Sequence, residues 1–128
     1  MKKVWMTVLV LLAGLGILAG REYKGVTMAD TVTEGGKSLV LNGMALRKKV
    51  VFKVYVAGLY LEKKMDDAQE IFGSSGIRRT VMHFLRKVKA DQINDAWREG
   101  LAANTPDASP ELKARFEELY GYMADVGD

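Results

Sequence analysis

Over residues 38–61 and again over residues 77–88 the apolar and β-branched side chains are patterned as in pleated strands. Beyond residue 91 the apolar ones recur with the period of a helix. Residues 21–37 alternate loosely, with Val26, Met28 and Val32 set among Thr27, Asp30 and Thr33; they predict one edge strand ending in the turn Glu34-Gly35-Gly36-Lys37. Residues 38–46 (SLVLNGMAL) predict a second strand interrupted at Asn42-Gly43, a pair that favours a turn or bulge. Residues 50–61 (VVFKVYVAGLYL) form the strongest strand signal, rich in β-branched and aromatic side chains and charged only at Lys53. Such continuous apolarity predicts a central strand covered on both faces.

A short helix is expected over residues 66–72, closed by the loop Gly73-Ser74-Ser75-Gly76. A strand follows over residues 77–88, with Val81, His83 and Leu85 on one face and Met82 and Phe84 on the other. Over residues 91–104, Ile93, Ala96, Trp97, Gly100 and Leu101 mark one helical face. Thr105-Pro106 stops that helix. Ser109 caps the next, with Pro110 at its first position and Leu112, Phe116, Leu119, Tyr120 and Met123 as its stripe. Strands first and helices afterwards, on short connections, predict an α+β fold: an antiparallel sheet covered on one face by helices.

The N-terminus follows a different pattern. Met1-Lys2-Lys3 precedes an uncharged run over residues 4–20, and the next charge is Arg21. This reads as an export signal, cleaved after Ala19 or Gly20 or retained as an anchor, so a periplasmic or envelope location is expected. The folded domain is then residues 21–128. Removing residues 1–20 takes away two lysines and no acid, leaving 17 basic and 16 acidic residues. The sequence pI of about 9.1 therefore comes largely from the leader. Nucleic acid is not an expected partner, and membrane contact is expected only through an uncleaved N-terminal segment.

The chain has no cysteine and one histidine. Thiolate catalysis, disulfides and cysteine-ligated metals are excluded, and no cofactor is expected. His83 lies in an apolar strand and is expected to be a partly buried structural residue. No His, Asp or Glu pair has the spacing of metal ligands, and Asp66-Asp67 suit the start of a helix. Gly36-Lys37-Ser38 lacks the glycine that a phosphate-binding loop places five residues earlier, where Thr31 stands. Most of Arg47, Lys48, Lys49, Lys53, Arg78, Arg79, Arg86 and Lys87 are expected on a solvated face. Arg47 is the exception, because it adjoins the most apolar strand and lies near Tyr55. An arginine and a tyrosine together can hold a carboxylate or a developing oxyanion, and apolar walls would select an acid with an apolar tail.

The run Leu41-Asn42-Gly43-Met44-Ala45-Leu46-Arg47-Lys48-Lys49, leading into residues 52–62 (FKVYVAGLYLE), resembles the chalcone isomerase-like family in its bacterial exported branch. Residues 81–86 (VMHFLR), residues 95–100 (DAWREG) and Asn104 fit the same branch. The resemblance implies an open sandwich with a ligand cleft between sheet and helices. It also implies further C-terminal strands and a last helix, so the chain is expected to be C-terminally incomplete. In enzymes of the family an arginine stabilises an oxyanion during ring closure; in fatty-acid-binding members an arginine and a tyrosine hold the carboxylate. Arg47 matches the arginine and Tyr55 the binders' tyrosine. The helix over residues 91–100 lacks the tyrosine that completes the enzymes' polar network.

The expected function is a non-catalytic binder of a fatty acid or similar apolar carboxylate. Arg47 would supply charge, Tyr55 a hydrogen bond, and Phe84 and Trp97 walls. The alternatives are an isomerase of the intramolecular lyase type using Arg47, and a ligand-free envelope interaction domain whose Arg47 would face solvent. In one unbroken strand Arg47 and Tyr55 would stand about 26 Å apart at 3.3 Å per residue. The site therefore requires the chain to reverse between them.

Overall fold

The computed structural model describes residues 19–124, so the expected signal or anchor falls almost wholly outside the described residues. The elements run β1 (Gly20–Tyr23), β2 (Val26–Ala29), β3 (Thr31–Glu34), β4 (Lys37–Lys49), β5 (Phe52–Leu61), α1 (Ala68–Gly73), β6 (Arg78–Phe84), α2 (Ala90–Asn104) and α3 (Pro110–Tyr122). The fold is α+β. Strands β3-β4-β5-β6 form an antiparallel sheet in chain order, and β1 and β2 form a separate hairpin.

The single edge strand expected over residues 21–37 is replaced by three short strands. Lys24 and Gly25 both take positive φ (52° and 80°), as do Gly35 and Gly36 (56° and 76°). Each pair is a two-residue loop whose left-handed backbone matches the twist of the strands it joins. The second loop carries its signal in Gly-Gly. Lysine at the first position of the other loop hid it.

Strand β4 runs the full length of its partner because the Asn42-Gly43 signal is a bulge and not a turn. Leu41 pairs with Tyr60 and Gly43 with Leu59, which leaves Asn42 as the extra residue. The bulge keeps Leu39, Leu41, Met44 and Leu46 on one face despite their spacing of two, three and two. That face, with Val56 and Tyr60 of β5, is covered by Val26 and Met28 of the small hairpin. Here Gly58 is required by close approach: a Cβ on it would run into Met28 Sδ and meet Leu41 Cδ1 at 3.2 Å.

Strand β5 is interior, as expected, but its two faces are covered unequally. Val56, Gly58 and Tyr60 are buried, whereas Tyr55, Ala57 and Leu59 on the other face are half-buried. Val50 and Val51 do not belong to it; they form the turn from β4. His83 is exposed, which overturns the expectation of a partly buried residue: Val81 on the same face packs against the core, but His83 lies two residues further along β6, next to its last residue Phe84.

Helices α1 and α3 start behind side-chain caps, while α2 starts behind Lys89, whose backbone N–H donates to Gln92 Oε1 at 2.9 Å. Asp67 accepts from Gln69 N–H at 2.8 Å and Ser109 Oγ from Leu112 N–H at 3.2 Å. Helices α2 and α3 hold each other through the Asn94 amide, which donates to Tyr120 O at 3.2 Å, and the Arg98 guanidinium, 4.4 Å above the Tyr120 ring. Among the described residues no helix is long and apolar enough to cross a membrane.

Candidate functional site

The hairpin of β4 and β5 supplies the reversal that the Arg47–Tyr55 pairing needs. Lys49 pairs with Phe52 across the Val50-Val51 turn, and Arg47 then falls directly opposite Tyr55. A second bulge, at Val54, lies between that pair and the turn: Lys48 pairs with Lys53, so Val54 is the extra residue. On its other side Tyr55 pairs with Phe84 of β6. The two rings meet edge to face, with centroids 5.5 Å apart and planes at 67°.

Arg47, Tyr55 and Phe84 therefore make one cross-strand row on the half-buried face of the sheet. Arg47 is exposed; Tyr55 and Phe84 are half-buried. The row offers a guanidinium with five donors, a phenol that can donate, and an aromatic edge to an anion with an apolar tail. Trp97 stands half-buried on α2 and is not part of the row.

Two clefts lie elsewhere. One of about 760 Å³ is bounded by Leu61, Met65, Glu70, Ser74 and Ile77, at the far end of β5 from Arg47. Its charged wall residues are paired, Glu70 with Lys63 at 3.4 Å and Glu62 with Lys37 at 3.1 Å, which leaves no free cation there for a carboxylate among the described residues. The other, of about 360 Å³, lies between α2 and α3 beside Arg98, Leu101, Phe116 and Tyr120. Neither includes Arg47, Tyr55, Phe84 or Trp97. Among the described residues no three His, Asp or Glu side chains converge as metal ligands do.

Three polar groups outside the row position the sheet. Asn42 spans the backbone of Met65, accepting from its N–H at 2.8 Å and donating to its carbonyl at 3.0 Å. Tyr60 donates from its hydroxyl to Ala29 O at 2.7 Å. Burial raises its pKa above the ordinary 10.0; Asp30 adds to the rise and Arg79 opposes it. Glu62 accepts from Ile77 N–H at 2.9 Å and from Lys37 Nζ at 3.1 Å. These two bonds, the backbone one first, hold its carboxyl below the ordinary 4.5. Only Asn42 carried a sequence signal, its place beside a glycine inside a strand.

The fold and the row together describe an α+β domain built on an antiparallel sheet, with its candidate polar group at one strand-paired end. Residues 20–128 match the family model described as chalcone isomerase-like, and the chain belongs to that family. No curated protein and no solved structure matches it.

Proposed function

We propose that this protein is an exported, non-catalytic binder of a fatty acid or a similar apolar carboxylate, acting in the periplasm or envelope. The observation that carries the reading is the direct opposition of Arg47 and Tyr55 across β4 and β5, with Phe84 packed on Tyr55 in the same row. Arg47 supplies the charge, Tyr55 a hydrogen bond, and Phe84 an apolar wall; Trp97 would join them only if α2 closes on a bound tail. The resemblance of residues 52–62 to the family aligns Tyr55 with the tyrosine of its fatty-acid-binding members, which supports the binder over the enzyme.

The test is native mass spectrometry with lipid extraction on the full chain purified from its own envelope, beside Arg47→Ala and Tyr55→Phe. An acyl carboxylate should be bound, and losing the charge-assisted bond should weaken it by about 10- to 100-fold in Arg47→Ala. A folded wild-type protein that carries nothing and takes up no added fatty acid would overturn the reading.

The exposure of Arg47 supports a second reading, a ligand-free interaction domain in which Arg47 pairs with an acidic group of another protein. An empty, folded protein in the same measurement would favour it. Turnover of an added chalcone would instead favour the intramolecular-lyase alternative.

A further inference from the structure

We infer that the turn between β4 and β5 is a docking tip for an anionic lipid surface. At the tip Val50, Val51 and Phe52 are 87%, 78% and 54% exposed, consecutive in the chain at the end of the hairpin. Leu85 is also exposed, and its N–H donates to Val54 O at 2.9 Å, which lays residues 85–87 alongside the base of the tip. Exposed apolar residues grouped at one projecting end have little reason to be there in a chain that meets only water.

The charge around them has one sign. Lys48, Lys49 and Lys53 come from the hairpin, Arg86 and Lys87 from the segment after β6, and the Arg86 guanidinium sits 4.5 Å from the centre of the Phe52 ring. No acidic residue occurs from position 35 to 61 or from 71 to 90. The ion pairs among the described residues involve none of these five cations.

A backbone feature and a charge pairing at the same place also oppose folding. Val50 has a φ of +57°, a left-handed conformation that a β-branched residue adopts only under strain, at a turn position where hairpins favour glycine. Lys48 and Lys53 are directly paired across the strands, where like charges repel. Apolar exposure and lysine repulsion are both relieved against an anionic bilayer, which takes up the apolar side chains and neutralises the cations. An acidic protein would neutralise the charge but leaves the projecting Val-Val-Phe without a matching groove of its own, so the lipid surface is the occupant favoured. This contact is additional to any through the N-terminal segment, and it does not depend on the carboxylate site, because Arg47 and Tyr55 take no part in it.

The absence of cysteine from the chain makes the test specific. A polarity-sensitive fluorophore is attached to full-length Val51→Cys. The same fluorophore on Ser75→Cys, in the loop at the other end of β5 and β6, reports binding through the N-terminal segment alone. Vesicles are pure phosphatidylcholine or contain phosphatidylglycerol, with no free fatty acid present. The probe at residue 51 should enter an apolar environment only with phosphatidylglycerol and leave it at high salt, while the probe at residue 75 stays in water. Adding Lys48→Gln and Lys49→Gln should lower the inserted fraction's equilibrium constant about 25-fold, fivefold for each cation removed near an anionic surface. A probe at residue 51 that remains in water on anionic vesicles, or that responds equally to neutral ones, overturns the inference. So does insertion that the two lysine substitutions leave unchanged.

Discussion

Asn42 and Met65 are joined by two hydrogen bonds, side-chain amide to backbone, in which each residue both donates and accepts. The bulge on β4 thereby becomes the anchor of the loop leaving β5. Replacing Asn42 with alanine should cost about 1–3 kcal/mol for two part-buried bonds of this kind. Asn42→Asp should cost at least as much, since the carboxylate would face the Met65 carbonyl. Urea denaturation of the three proteins measures both.

Gly58 and Met28 are coupled by space. Gly58→Ala should destabilise by about 1–2 kcal/mol, because the new methyl displaces the Met28 thioether and crowds Leu41. In a Met28→Ala background the same substitution should cost much less. A double-mutant cycle with a coupling near zero would show that the sheet accommodates the methyl in another way.

Val50→Gly should raise stability by about 1 kcal/mol. Relief of a left-handed φ on a β-branched residue outweighs the entropy that glycine adds to the unfolded chain. Calorimetry should show a higher Tm, by roughly 4–8 °C for a domain of this size. The residue least suited to the turn would then be identified as one retained for a reason outside folding.

Glu62 makes stability depend on acid. Its folded pKa lies below the unfolded one, so its contribution is fully present above about pH 4.5 and is lost as pH falls through the lower, folded value. The gap in stability between wild type and Glu62→Gln should therefore close as pH falls below 4.5. Denaturation curves taken from pH 6 downward would follow it, and a constant gap would mean that the carboxylate's two bonds do not survive in solution.

Tyr60→Phe should cost about 1 kcal/mol or somewhat more, leaving the Ala29 carbonyl without its 2.7 Å donor under a buried ring. The variant keeps the ring's packing, so near-ultraviolet circular dichroism should change little while the denaturation midpoint falls.

Much of this fold could be read from the chain because the determinants are local. Asp67, Ser109 and Pro110 announce helix starts through the bonds their own side chains or rings make or forgo. The three-residue step from Leu41 to Met44, inside an alternation of two, is the mark of a bulge. What could not be read depends on pairing. The Lys24-Gly25 turn looks like part of a strand until Tyr23 meets Val26, and Val50-Val51 looks like the start of a strand because its composition contradicts its conformation. Exposed Val50 and Val51 therefore misled the same rule that found β5. For the candidate site, the residues Arg47 and Tyr55 were legible by type and by resemblance. Their opposition was not, since it depends on a turn placed between them and on a bulge at Val54.

That bulge has a consequence for how the hairpin can change. The extra residue at Val54 lies between the tip and the row, so the Lys48–Lys53 pairing at the tip and the Arg47–Tyr55 pairing behind it fall in different registers. The side chains at residues 50 and 51 can therefore be exchanged while Arg47 and Tyr55 remain opposed, provided Lys49 and Phe52 still close the turn. The tip and the row behind it are in this sense separate parts of one hairpin.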